Sequence, residues 1–386
     1  MKVVVAIDSL KGSMTSMEAG RAIREGILNV LPDTEVIVKP LADGGEGTTE
    51  ALVEGLGGEL VETEVHGPLE TPVKAVYGVI KETGTAIMEM AAAAGIILVG
   101  KDKRPLDATT YGVGEMIRDA VRRGCREFII GIGGSATNDG GIGMLTALGY
   151  EFLDARGAAV GIGAGALGEV ASIGTGRVLP ELKECRFRIA CDVTNPLCGV
   201  NGATYIYGPQ KGVTEDLRDS LDAAMASYAQ VIRDCLGTDH RESEGAGAAG
   251  GLGFAFLSCL NADLQPGIGL VLDAVDMEKT MEGADLVFTG EGRLDGQTAM
   301  GKAPVGIAKL AKEHGAKVVA LAGAVIEGAE KCNENGIDAF FPILRRIVTL
   351  DEAMDPKTAK ENMVRTAEQV IRLVSAFRQD RTGSGV

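Results

Sequence analysis

Tryptophan is absent from this chain, and histidine occurs only three times. His66, His240 and His314 lie far apart, and none stands in a glycine loop. That argues against a histidine general base and against a histidine-ligated metal. No G-x-S-x-G elbow occurs, which disfavours serine hydrolase chemistry. The seven cysteines are scattered, odd in number and without C-x-x-C spacing, so reduced thiols are expected and a zinc site is not. Long hydrophobic runs are also missing. The longest, Met90 to Val99, falls short of the roughly 20 residues that span a bilayer. Lys2 and five apolar residues before Asp8 make too short a core for a signal peptide, so a soluble, cytoplasmic protein is expected. Basic residues are in deficit, 38 against 54 acidic ones, for a formal net charge of −16. Nucleic acid and anionic membrane need clustered cations and are disfavoured as partners.

Glycine is abundant, at 55 of 386 residues, with no collagen-like period. It concentrates behind short β-forming runs. Phe128-Ile129-Ile130 opens into Gly131-Ile132-Gly133-Gly134-Ser135-Ala136-Thr137-Asn138-Asp139-Gly140-Gly141, followed by a helical stretch. Such a turn lets the backbone approach a phosphate, with unpaired N–H groups at the helix start. Val3 to Ile7 opens into Asp8-Ser9-Leu10-Lys11-Gly12-Ser13, and Val36-Ile37-Val38 is followed by Ala42-Asp43-Gly44-Gly45-Glu46-Gly47-Thr48. Leu286-Val287-Phe288 opens into Thr289-Gly290-Glu291-Gly292-Arg293-Leu294-Asp295, and Val318 to Leu321 into Ala322-Gly323. Ligands of open α/β sheets bind beyond the carboxyl ends of the strands, so these loops predict a shared crest and a phosphorylated small molecule.

The pattern predicts an α/β fold: a doubly wound parallel sheet domain with a second, inserted α/β domain. Strand–loop–helix units before residue 50, at 127–148 and after 284 are expected in one sheet. The first domain would comprise 1–60, 105–150 and 275–386, and the inserted domain 61–104 and 151–274. Thr15 and Glu18 form a capping box for a helix that Pro32 stops, and residues 59–90 read as an antiparallel excursion. Thr214 starts a helix that Gly237 ends, another begins near Asp355-Pro356, and 379–386 read as frayed.

Two glycine motifs match familiar patterns by letter alone. Gly296 to Lys302 spells G-x-x-x-x-G-K, but Ala303 stands where Ser or Thr should bind Mg²⁺, and the strand is too distant. Gly245 to Gly250 spells G-x-G-x-x-G but follows the charged run Asp239 to Glu244, so a tight turn into a small-residue helix is expected. What recurs instead is aspartate at strand ends: Asp8, Asp43, Asp139, Asp192 and Asp295. Phosphoryl transfer needs carboxylates for Mg²⁺ and for the acceptor's proton, and cations on the phosphate. Lys11, Lys211, Arg293 and Lys302 lie in or beside the same loops.

Taken together, these segments closely resemble the glycerate kinase type-1 family. Cys191-Asp192-Val193-Thr194-Asn195-Pro196-Leu197, Gly208-Pro209-Gln210-Lys211-Gly212 and Gln297-Thr298 to Pro304 add to the match, in family order from residue 3 to about 375. The resemblance implies an ATP- and Mg²⁺-dependent kinase of D-glycerate, usually at the 2-hydroxyl. It also implies two α/β domains, one Rossmann- or flavodoxin-like, with the site in the cleft between them.

Residue roles follow from chemistry. Asp192 is the candidate base or metal ligand, with Asp43 its rival and Mg²⁺ partner, and Lys11 assists the phosphate. Arg293 offers a planar fork to the glycerate carboxylate, with Asp295, Asp8 and Ser9 beside the substrate. Gly133, Gly134, Ser135, Thr137, Asn138 and Asp139 are candidates to cradle ATP, with Lys211 and Lys302 as cations. Alternatives are 3-phosphoglycerate as product, a nucleotide-dependent dehydrogenase, and a non-enzymatic nucleotide sensor. The sequence leaves the oligomeric state open, a homo-oligomer included.

Overall fold

A computed structural model describes residues 1–382 of the chain. Its strands, in chain order, are β1 (Lys2–Ile7), β2 (Glu35–Pro40), β3 (Glu59–His66), β4 (Pro72–Ile80), β5 (Thr85–Glu89), β6 (Glu127–Gly131), β7 (Glu151–Leu153), β8 (Ser172–Gly174), β9 (Arg186–Ala190), β10 (Asp263–Gln265), β11 (Leu286–Leu294), β12 (Lys317–Val325) and β13 (Ala339–Pro342). The chain divides into two units. The first holds Met1–Asp43, Glu54–Leu56 and the chain from Val271 onward; the second holds Gly44–Val53 and Gly57–Leu270. The second is thus inserted into the first.

In the first unit the strand order is β13-β12-β11-β1-β2, with every neighbouring pair parallel. Val3 to Ile7 are wholly buried, as the apolar run of a central parallel strand requires. The capping box forms as Thr15 predicts. Its Oγ1 accepts the Glu18 N–H at 3.1 Å, and the Glu18 carboxylate accepts the Thr15 N–H at 2.9 Å. Ala19, Ala22, Ile23 and Ile27 of helix Ser16–Leu28 share a core with Met363, Ala367 and Ile371 of helix Pro356–Thr382. Of the frayed end expected at 379–386, residues 383–386 lie outside the described residues.

The second unit is built on the order β10-β9-β6-β5-β4-β3. β3, β4 and β5 pair antiparallel, which is the excursion expected at 59–90, while β5, β6, β9 and β10 run parallel. Phe128 and Phe187 stack at 4.8 Å in its core, and helix Glu215–Leu236 buries Leu221, Met225, Tyr228 and Ile232.

Two expectations are corrected. β6 and the whole of 105–150 belong to the second unit, so 127–148 does not join the sheet of β1. The reason is local: β5, helix Tyr111–Arg122 and β6 form a βαβ crossover, and consecutive strands of this kind usually neighbour one another. β11 is also longer than read. It does not open into a loop at Thr289 but stays paired with β12 as far as Leu294 and Val325. Gly290 makes this continuation fit: its φ is +146°, and a Cβ there would sit 1.7 Å from the Leu321 carbonyl oxygen.

Candidate active site

On the first unit, the carboxyl ends of β1, β2 and β11 gather a charged cluster. The Asp8 N–H donates to the Gly290 carbonyl at 2.9 Å, which fixes the residue directly beyond β1. The Ser9 N–H donates to Asp8 Oδ1 at 2.6 Å. Burial pushes the Asp8 carboxyl up to about 7; Asp43 and Glu291 push the same way, and the Ser9 amide and Lys11 oppose them. Burial also raises Glu291, with Asp295 and Asp43 adding to it, against the Thr298 hydroxyl donating at 2.5 Å and Lys302. Asp295 behaves oppositely. Burial would raise it, but the N–H groups of Gln297 (2.8 Å) and Thr298 (3.2 Å), with Lys302 and Arg293, hold it below the usual range. Arg293 Nε lies 3.2 Å from Asp295 Oδ2, and the arginine side chain is 62% exposed.

Asp8, Lys11, Asp43, Arg293, Asp295 and Lys302, read separately from the sequence, therefore meet in one electrostatic neighbourhood. Glu291 was missed. It stands in the run Thr289 to Asp295, which by composition reads as a glycine loop. Among the described residues, no group of three or more His, Cys, Asp or Glu is arranged to hold a metal unaided. The donors are hard carboxylate oxygens, which suits Mg²⁺ held by one or two carboxylates and completed by phosphate oxygens and water.

On the second unit, a cavity of about 520 Å³ opens beyond the ends of β5 and β6. Gly133 and Gly134 line it, together with Gly44 to Glu46, Glu89 and the segment Ala91–Leu98. Main-chain bonds tie that segment to the glycine run: Met90 N to Gly131 O at 2.8 Å, Ile96 N to Gly134 O at 2.8 Å and Ala136 N to Ala94 O at 2.9 Å. Further along, the run turns inward. Ser135, Thr137, Asn138 and Asp139 are buried. Asp139 Oδ2 accepts from the Thr110 N–H (2.8 Å) and hydroxyl (2.7 Å), and the Gly141 and Gly143 amides donate to its carboxylate at 3.3 Å. The helix start that the sequence offers to a phosphate is thus taken by the chain's own aspartate.

Lys211 is likewise interior, its Nζ donating to the Thr137 carbonyl at 2.6 Å. Burial brings its pKa down to about 7, against the pull of Asp139. Gly245 to Gly250 serves close packing: Gly250, at φ +71°, would place a Cβ 2.1 Å from the Thr137 carbonyl oxygen. Asp192 is exposed, on the second unit, and its Oδ1 accepts the Gly267 N–H at 2.9 Å at the start of helix Gly267–Ala274. Among the described residues, no helix is long and apolar enough to cross a membrane.

Carboxylates, cations and glycine turns at the strand ends of two α/β units define a small-molecule enzyme of the α/β class. The model of the glycerate kinase family matches residues 3–375. A glycerate kinase of Bacillus subtilis (strain 168) is 47% identical over 96% of this chain and 97% of its own length. The glycerate 2-kinase of Escherichia coli (strain K12) is 44% identical over 96% and 97%. A glycerate kinase 2 crystal structure from Salmonella typhimurium LT2 aligns with a TM-score of 0.90 at 43% identity, covering 98% of this chain and 99% of that one. The chain belongs to the glycerate kinase family and is an enzyme, a kinase.

Proposed function

We propose that the protein transfers a phosphoryl group from ATP, assisted by Mg²⁺, to the 2-hydroxyl of D-glycerate in the cytoplasm, giving 2-phosphoglycerate. The observation that carries this reading is the cluster of Asp8, Asp43 and Glu291 at the strand ends of the first unit, flanked by Lys11, Arg293 and Lys302. A secondary hydroxyl needs a proton acceptor within hydrogen-bond reach. Asp8 takes that part in this reading: it stands directly beyond a central strand, accepts the Ser9 amide, and sits among carboxylates that favour its taking a proton. Asp192, with one oxygen engaged by Gly267, is given the lesser part of metal ligand or cap. Asp43 and Glu291 supply oxygens for Mg²⁺, which neutralises charge on the phosphates when bound. The exposed guanidinium of Arg293 receives the glycerate carboxylate, and Lys11 and Lys302 stand by the transferred phosphate.

Incubation with ATP, Mg²⁺ and D-glycerate tests the reading. ADP should form, and enolase should consume the product directly. A product that enolase accepts only after phosphoglycerate mutase is added would be 3-phosphoglycerate and would move the acceptor to the 3-hydroxyl. No ADP with D-glycerate would refute the proposal.

A further inference from the structure

The cavity of the second unit lies between a glycine run and a carboxylate on adjacent parallel strands. In the pairing of β5 with β6, Glu89 stands opposite Gly131, so the acid ends one strand where its neighbour opens into Ile132-Gly133-Gly134. In dinucleotide-binding sheets the glycine turn receives the phosphates, and a carboxylate at a nearby strand end accepts from ribose hydroxyls; it is the carboxylate's part that Glu89 matches here. We infer that this cavity receives the adenosine end of the nucleotide and that Glu89 anchors its ribose. The inference rests on the reading of ATP as phosphoryl donor.

Charge selects which end of the nucleotide enters. The cavity is lined by Glu46, Glu50 and Glu89 against a single cation, Lys74, whose Nζ is 2.8 Å from Glu62. A triphosphate placed there would face three carboxylates. A neutral, hydroxyl-bearing nucleoside would find acceptors instead. Ala91, Ala92 and Ile96 supply an apolar surface for a base. The volume of about 520 Å³ falls within the roughly 300–1,000 Å³ of small-molecule sites, more than glycerate alone would fill.

The polar groups are set in advance. Glu89 is partly buried, and its Oε1 accepts the Thr49 N–H at 2.9 Å. Burial raises its proton affinity, the Thr49 and Gly47 amides oppose this, and Glu50 adds to it. A carboxylate has about four acceptor positions, so those amides leave capacity for a ribose hydroxyl. Opposite, the Gly133 and Gly134 amides donate no hydrogen bond among the described residues, although the Gly134 carbonyl is held by Ile96. The wall is therefore rigid and still offers donors.

Calorimetric titration of the wild-type chain with ADP and with 2′-deoxy-ADP, in the absence of glycerate, tests the assignment. ADP should bind about tenfold tighter than its deoxy analogue, and Glu89→Gln should weaken ADP while bringing the two within about twofold. The KM for D-glycerate should stay unchanged. A ratio untouched by Glu89→Gln overturns the role of Glu89. Wild-type protein that binds no ADP overturns the ATP reading itself, and this inference with it. A second variant guards against misfolding. A Cβ at Gly133 would meet nothing within 4 Å, so Gly133→Val should fold normally while narrowing the cavity. It should weaken ADP at least tenfold; unaltered ADP affinity would place the nucleotide elsewhere.

Discussion

Arg293 and Lys211 show how one cationic residue type or another is put to different use. Arg293 is 62% exposed, and its ion pair with Asp295 at 3.2 Å contributes little to stability, as exposed pairs generally do. Its planar fork remains available to a substrate carboxylate, a geometry that lysine cannot reproduce. Arg293→Lys should therefore raise the glycerate KM by about tenfold or more, since hydrogen bonds to charged groups are worth about 1.5–3 kcal/mol, with the melting temperature nearly unmoved. An unchanged KM would reassign the carboxylate anchor. Lys211 works in the interior, where burial lowers its pKa from 10.5 to about 7. Across that window the unfolded chain holds a proton that the folded chain lacks, so the contribution of Lys211 to stability rises with pH and falls as pH drops towards 7. The Thr137 carbonyl accepts from it, and Asp139 pulls its pKa the other way. Urea titrations of wild type and Lys211→Met should show a stability difference that shifts in favour of the wild type from pH 7 to pH 10. A difference independent of pH would mean that Lys211 stays charged beside Asp139. Neither its burial nor that of Asp139 was legible in the sequence, because both stand in glycine-rich segments that read as surface loops. Asp8, Asp43 and Arg293 were legible, since small or hydroxyl residues flank them at strand ends. Glu89 and Glu291 were not: a glutamate at the end of a strand reads as a solvated side chain until pairing places it opposite a glycine or beside an aspartate.

At the scale of elements, apolar runs and capping residues specified most of the strands and helices, but not their partners. The Thr15 capping box and the antiparallel excursion at 59–90 are set by neighbours in sequence, and they form as read. The placement of β6 depends on which of two sheets it joins, and its apolar sequence suits either. β11 shows another limit. Thr289-Gly290-Glu291-Gly292-Arg293 has the composition of a loop, yet pairing with β12 holds it as strand through Leu294. The pivot is Gly290, whose backbone conformation and 1.7 Å approach of a Cβ to Leu321 both exclude a side chain. Gly290→Ala should cost about 3 kcal/mol or more, combining backbone strain with overpacking. Denaturant unfolding would read this as a lower midpoint. A near-wild-type midpoint would show that β11 can slide relative to β12, and that the carboxylates it carries are not rigidly placed.

At the scale of the whole molecule, charge sets a problem that the local chemistry has to solve. A chain of net charge −16 handles two anions, glycerate and ATP, in the proposed reaction. At ionic strengths of about 0.01 M the Debye length is about 30 Å, so the global acidic field reaches an approaching anion; at about 0.15 M it shrinks to about 8 Å. Lys11, Arg293 and Lys302 act at contact distance, where screening matters less. Added salt should therefore remove more repulsion than attraction. Measured at constant free Mg²⁺, kcat/KM for D-glycerate is expected to rise as potassium chloride goes from about 10 to about 150 mM, the reverse of an electrostatically steered enzyme. If kcat/KM falls instead, the cations beside Asp8 and Asp295 dominate the field along the approach as well as at the site. Neutralising Arg293 with glutamine should then flatten the salt dependence, whereas under the expected regime it would leave the slope rising and lower only its height.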